Sequence, residues 1–149
     1  MLKDIVSPDL VTVEPHATLM DVARLMESRN VGCVLVLSNG KPRGLITDRD
    51  IVVRCLAANL DANDTTVENV LTESLATCSE NDGIFDCIRK MRSSGVRRMP
   101  VVDQAGKAVG IVTFGDLIAI LSKELSVLSE AATPTTTPKD APLKRFAAA

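Results

Sequence analysis

Aromatic side chains are nearly absent: three phenylalanines, no tryptophan and no tyrosine, 2% of the chain. That scarcity removes the platforms on which single-stranded nucleic acids stack their bases. There is no excess of positive charge either, since 17 Lys and Arg face 19 Asp and Glu for a net charge of -2. Phosphate-backbone binding driven by counterion release therefore has no source, and nucleic acid is disfavoured as a partner. The longest apolar runs, at 33–37 and 117–121, fall far short of the roughly 18 residues a membrane span needs. Met1-Leu2-Lys3-Asp4 passes into Ser7-Pro8 without an apolar leader segment, so the expectation is a cytoplasmic protein with no membrane partner.

Histidine is limited to His16, and the four cysteines (Cys33, Cys55, Cys78, Cys87) make no C-x-x-C pair. A zinc site would have to gather distant ligands, and no metal is expected. The cysteines stand in apolar periodic segments and read as buried free thiols of a reducing compartment. No Ser-His-Asp or Cys-His spacing and no G-x-x-x-x-G-K-[ST] loop is found, so the expectation is a protein that is not an enzyme and has no obligatory cofactor.

What the chain does have is a repeat. With 149 residues, 46% apolar and 24% charged, it can form one compact domain or two small halves sharing a core. Thr12 falls on Thr77, Asp21 on Asp86, Met26 on Met91, Val31 on Val96 and Val36 on Val101, each 65 residues apart. After one extra residue, Ala105, the offset becomes 66 and matches Gly40 to Gly106, Lys41 to Lys107, Gly44 to Gly110, Thr47 to Thr113 and Asp50 to Asp116. One inserted residue in a turn, with register kept on both sides, is what two copies of one folded unit tolerate.

Each copy predicts the same elements. Thr12-Val13 and Thr77-Cys78 are short extended pieces. A helix follows, with Leu19, Val22, Ala23 and Met26 at helical spacing behind Thr18 and Asp21, and with Ile84, Ile88 and Met91 behind Asp82 as the expected cap. A β-favouring run at 33–37 breaks at Ser38-Asn39-Gly40-Lys41 and resumes at Gly44-Leu45-Ile46, a hairpin signal. Met99–Val102 and Gly110–Val112 repeat it. A second helix starts after Thr47 and after Thr113, the latter reaching towards Leu128. From about Glu130 the composition turns to Ala, Thr, Pro and Lys, read as an extended or disordered tail.

Gly-hydrophobic-hydrophobic-Thr-x-x-Asp occurs twice, as Gly44–Asp50 and Gly110–Asp116. A strand that ends in threonine and enters a helix puts a hydroxyl beside unpaired backbone N–H groups, where an anion such as phosphate is favoured. An aspartate one turn later offers two acceptor oxygens that suit the vicinal hydroxyls of a ribose. The same spacing is also that of a capping box, and a duplicated fold duplicates its caps.

With these elements and motifs in both copies, residues 2 to 122 resemble a cystathionine β-synthase (CBS) domain pair, also called a Bateman module. The resemblance implies an α/β fold of tandem CBS domains, each β-α-β-β-α, packed with pseudo-twofold symmetry: 1–61, then 62–129, then the tail 130–149. It implies a stand-alone regulatory module that binds an adenosine-containing ligand (AMP, ADP, ATP or S-adenosylmethionine) between its halves and signals to a protein partner. Thr47, Thr113, Asp50 and Asp116 would then serve phosphate and ribose. Val31 and Val96 would contact adenine, Arg97 and Arg98 phosphate, and Ser7 and Thr72 the adenine edge. Gly32-Cys33 is neutral where Arg97-Arg98 carries two charges, and Phe114-Gly115 replaces Asp48-Arg49, so the clefts should be unequal. A homodimer is expected, with Leu117, Ile120 and Leu121, or Leu19 and Met26, as apolar faces left uncovered. The alternative is a ligand-free dimerisation or scaffold module.

Overall fold

The computed structural model describes residues 1–6, 9–71 and 75–132. Ser7 and Thr72 lie outside the described residues, as does 133–149 with most of the segment read as a tail. The chain divides into two units, Met1–Leu117 and Ile118–Ala149, and the first contains both copies of the repeat up to the start of the last helix.

Copy one runs β1 (Thr12–Val13), α1 (Leu19–Arg29), β2 (Cys33–Ser38), β3 (Lys41–Thr47) and α2 (Asp48–Asp50), which continues as π-helical backbone over Ile51–Leu56. A short α3 (Val67–Val70) precedes copy two: β4 (Cys78–Ser79), α4 (Ile84–Ser94), β5 (Arg98–Val102), β6 (Ala108–Thr113) and α5 (Phe114–Ala132). Each copy forms one three-stranded sheet, β1-β2-β3 and β4-β5-β6, with the first pair parallel and the second antiparallel. The expected α/β order is therefore present twice. The sheets even share a register shift at the same repeat position, Val36/Leu37 and Val101/Val102.

The turn between β2 and β3 needs positive φ at both central residues, and Asn39 (φ 53°) and Gly40 (φ 76°) supply it. In copy two the inserted Ala105 lengthens the turn by one residue. Asp103 and Lys107 close it through backbone and side-chain bonds of 2.9 and 2.8 Å, with Gly106 at φ 77°. The insertion is absorbed at the hairpin end, where each strand is one residue shorter than its counterpart in copy one.

Caps follow the sequence in copy one and depart from it in copy two. Thr18 Oγ1 accepts the Asp21 N–H at 3.1 Å. The cap of α4 is Gly83, not Asp82. The Asp82 carboxylate instead accepts the Ser79 N–H at 2.8 Å and the Lys90 ammonium at 2.6 Å. Burial raises its proton affinity, but those two donors outweigh it and hold the carboxyl below its ordinary range. Both α1 and α4 stop at a left-handed residue, Asn30 and Gly95, whose amides return to the last turn. α5 runs to Ala132, beyond the Leu128 that periodicity suggested.

Two apolar cores form, and the segments opening each copy are exchanged between them. Val67, Val70 and Leu71 pack into the core of Leu19, Val22, Val34, Val36 and Ile46. Leu2, Ile5 and Val6 pack into that of Cys78, Cys87, Met91, Met99 and Leu117. The hydrogen bonds repeat at the 65-residue offset: Val67 and Glu68 donate to Ala17 and Pro15 as Leu2 and Lys3 donate to Asp82 and Glu80, all at 2.9–3.0 Å. Leu71 lies so close to Gly44 that a Cβ there would stand 2.4 Å from its Cδ1.

Of the apolar residues expected to face a dimer partner, burial corrects Leu19, Met26 and Leu117, while Ile120 and Leu121 are half-buried. Leu19 and Leu117 are fully buried and Met26 nearly so, covered by their own core. The large apolar residues more than half exposed in the first unit are Met1, Phe85 and, together on the continuation of α2, Val52, Val53 and Leu56.

Candidate functional site

Within the first unit, both copies contribute to one cleft. Leu45 and Thr47 come from the end of β3, and Val96, Arg97, Arg98, Thr113, Phe114 and Gly115 from copy two, around a volume of about 700 Å³. That is the size of a small-molecule site. Five of the residues read from the sequence are thus brought together: Thr47, Val96, Arg97, Arg98 and Thr113. Leu45, Phe114 and Gly115 were not singled out as contacts, although they stand inside the repeated motif.

The remaining positions lie elsewhere. Val31 is half-buried and packs against the core of copy one. Asp50 and Asp116 do not line the cleft and face back to their threonines. Asp50 Oδ2 accepts the Thr47 N–H at 2.9 Å and hydroxyl at 2.8 Å, while Thr47 Oγ1 accepts the Asp50 N–H at 3.2 Å. Thr113 and Asp116 repeat the arrangement at 2.9, 2.8 and 3.1 Å. Both motifs are therefore capping boxes. A threonine hydroxyl that donates to its own aspartate has no proton left for a phosphate oxygen, which accepts only.

The two helix starts differ in what they leave open. In copy one every early amide is used: Asp48 N–H goes to Gly32 O at 3.2 Å, Arg49 N–H to the Asp48 carboxylate at 2.7 Å, and Asp50 N–H to Thr47. In copy two Phe114 N–H goes to Arg97 O at 2.9 Å and Asp116 N–H to Thr113. With glycine in place of arginine and no aspartate before it, the Gly115 N–H has no partner among the described residues, and Gly115 is one of the residues that line the cleft. The aspartates differ too. Asp50 Oδ1 stands 3.4 Å from Arg54 Nε, whereas Asp116 is exposed and its Oδ1 has no partner among the described residues.

Arg97 and Arg98 are exposed, and no carboxylate lines the cleft with them. Arg98 also reaches across the repeat to its counterpart, Cys33. Burial lifts that thiol above its ordinary range; the Arg98 guanidinium opposes the lift as a charge and as a donor to sulfur, and Asp50 and Asp48 add to it. The site is thus a wide, cationic cleft with apolar walls and one open backbone amide, suited to an anion attached to a flat apolar body.

A second depression of about 740 Å³ is lined by Pro15, Ser38, Pro42, Arg43, Glu68, Leu71 and Leu75. It contains neither motif threonine, and its arginine is matched by a glutamate. Among the described residues no three His, Cys, Asp or Glu side chains are placed to hold a metal ion, and no helix is long and apolar enough to cross a membrane.

The family model described as CBS domain matches twice, over residues 2–56 and 67–123. The CBS domain-containing protein YhcV of Bacillus subtilis is 37% identical over 116 residues, 78% of this chain and 81% of its own. Hypoxic response protein 1 of Mycobacterium tuberculosis is 33% identical over 77% of this chain and 80% of its own; a solved structure of that name, with two coordinated zinc ions, superposes with TM-score 0.71 over 79% of this chain and 96% of the other. The CBS domain pair of protein MJ0100, in complex with 5-methylthioadenosine and S-adenosyl-L-methionine, is 28% identical, with TM-score 0.72 over 83% of this chain and 97% of the other.

Proposed function

The chain belongs to the CBS domain family, and from that premise we propose that it is a regulatory module that binds a phosphorylated adenosine compound in the cleft between its two copies. Occupancy would pass to a protein partner in the cytoplasm, with no chemistry performed on the ligand. One observation carries the reading: the same cleft gathers Arg97, Arg98 and Gly115 with its unpaired N–H, donors that suit phosphate, beside Leu45, Val96 and Phe114, which suit a purine. The adenosyl part is supported by the MJ0100 pair, whose ligands share that group. The phosphate part comes from the arginines, because 5-methylthioadenosine has no charge for them to meet.

Asymmetry belongs to the proposal. Copy two supplies an unpaired Gly115 N–H at the cleft, whereas copy one has spent its early helix amides on Gly32 O, the Asp48 carboxylate and Thr47 Oγ1. Ligand should therefore favour the copy-two side.

Thermal unfolding with AMP, ATP, S-adenosylmethionine and 5-methylthioadenosine tests the function. At a free concentration of 100 times Kd, binding adds roughly 2.7 kcal/mol, a rise of several degrees for a chain of this length. AMP or ATP should give that rise and 5-methylthioadenosine less. Unchanged melting with all four would support the scaffold reading instead.

We also propose that two chains associate through Val52, Val53 and Leu56, whose exposure leaves an apolar strip on the continuation of α2. Light scattering at micromolar concentration should give the mass of a dimer, and Leu56→Glu together with Val52→Glu should halve it. A monomeric wild-type protein would refute this contact.

A further inference from the structure

Copy two places three sulfurs where copy one has three valines. Cys78, Cys87 and Met99 fall, at the 65-residue offset, on Val13, Val22 and Val34. Val22 and Val34 are fully buried in the first core, and all three sulfur residues are fully buried in the second. Cys78 Sγ donates to Cys87 Sγ at 2.8 Å and lies 3.6 Å from Met99 Sδ. A single valine-to-cysteine exchange is an ordinary near-conservation of core volume. Two of them at the two ends of one contact create a pair that can react with itself. Neither of the other cysteines has this setting: Cys55 Sγ donates to Leu60 O, and Cys33 faces Arg98.

We propose that Cys78 and Cys87 are a dithiol site that a low-molecular-weight disulfide converts to an intrachain disulfide joining β4 to α4. One cysteine, as thiolate, attacks the small disulfide, and one small thiol leaves. The second cysteine attacks the mixed disulfide, and the other small thiol leaves. The two cysteine sulfurs are oxidised by two electrons, the external disulfide is reduced by two, and the two thiol protons end on the released small thiols. The two sulfurs stand 2.8 Å apart and must close to a bond of about 2.05 Å.

The environment makes this reaction slow and conditional. Burial pushes both thiols above their ordinary range, for Cys78 with the neighbouring Cys87 adding to it, so little thiolate is present at neutral pH. The oxidant must enter while the two-residue β4 opens from β5. In a reducing compartment the pair stays a dithiol. The bond would tie together the two supports of the cleft arginines, because β4 pairs with β5, which begins at Arg98, and α4 leads through Gly95 to Val96 and Arg97.

The test is to incubate the reduced full chain with oxidised glutathione, without denaturant and in urea below the unfolding transition, then quench and weigh it. The expected product has lost the mass of two hydrogens, and its titratable thiols have fallen from four to two. A digest without reduction should join the Cys78 and Cys87 peptides, and melting should rise by several degrees. Cys78→Val with Cys87→Val, which installs copy one's residues, should fold and lose all three changes. Four titratable thiols in both conditions, glutathione adducts that never resolve, or linkage through Cys33 would overturn the proposal. So would a metal ion retained by the reduced protein on these sulfurs, since that would assign the cluster to a soft cation.

Discussion

Leu2→Ala should lower stability by about 2–5 kcal/mol, the usual cost of truncating a fully buried leucine, and melting should fall by on the order of 10 °C. A residue one step from the chain start ordinarily frays, and its truncation would cost little. Here Leu2 is 0% exposed and belongs to the core of copy two, more than 75 residues away along the chain from its neighbours Cys78 and Cys87. Backbone bonds from Leu2 to Asp82 and from Lys3 to Glu80, both 3.0 Å, hold it there. The exposed Leu60 is the control, and its alanine variant should stay within about 0.5 kcal/mol. Denaturant unfolding of the two variants checks both. A small effect at Leu2 would mean the exchange of opening segments does not hold the fold together.

Replacing Arg97 and Arg98 by alanine should produce the largest functional loss. A hydrogen bond to a charged group contributes about 1.5–3 kcal/mol, and each 1.4 kcal/mol is tenfold in affinity, so each arginine should account for roughly 10- to 150-fold. Affinity for ATP or AMP should fall by that much in each single variant, while that for 5-methylthioadenosine should hardly change. Stability should be nearly unaffected, because both side chains are exposed. Titration calorimetry separates the outcomes. Equal losses for charged and uncharged ligands would show the arginines shaping the cleft rather than meeting phosphate.

The repeat made much of this fold legible. Matching Thr12 to Thr77 and Gly44 to Gly110 located every principal strand and helix, and Asn39-Gly40 located a turn whose geometry needs those residues. Comparing copies could not reveal that Leu2 and Val67 enter each other's cores, because aligning two equivalent segments says nothing about which core receives them. The cap of α4 was misplaced by one residue because Asp82 has stronger partners in Ser79 and Lys90. Leu19, Met26 and Leu117 were misread as uncovered because periodicity marks them as apolar without saying that the chain itself covers them.

Of the residues that line the candidate cleft, Thr47 and Thr113 were legible from spacing, and Arg97 and Arg98 from the family resemblance. The orientation of Asp50 and Asp116 was not, since a capping box and a ribose clamp share one sequence pattern. From the sequence, Phe114-Gly115 in place of Asp48-Arg49 says only that the clefts should be unequal. In the structure the glycine leaves the amide that the Asp48 carboxylate occupies in copy one.

Native mass spectrometry of the full chain mixed with ATP, AMP and S-adenosylmethionine in turn tests the central claim most directly. The account predicts one phosphorylated adenosine compound retained per chain at low excess, and its loss in the chain carrying both Arg97→Ala and Arg98→Ala. No retained adenosyl compound at any concentration, or equal retention by that variant, would contradict it.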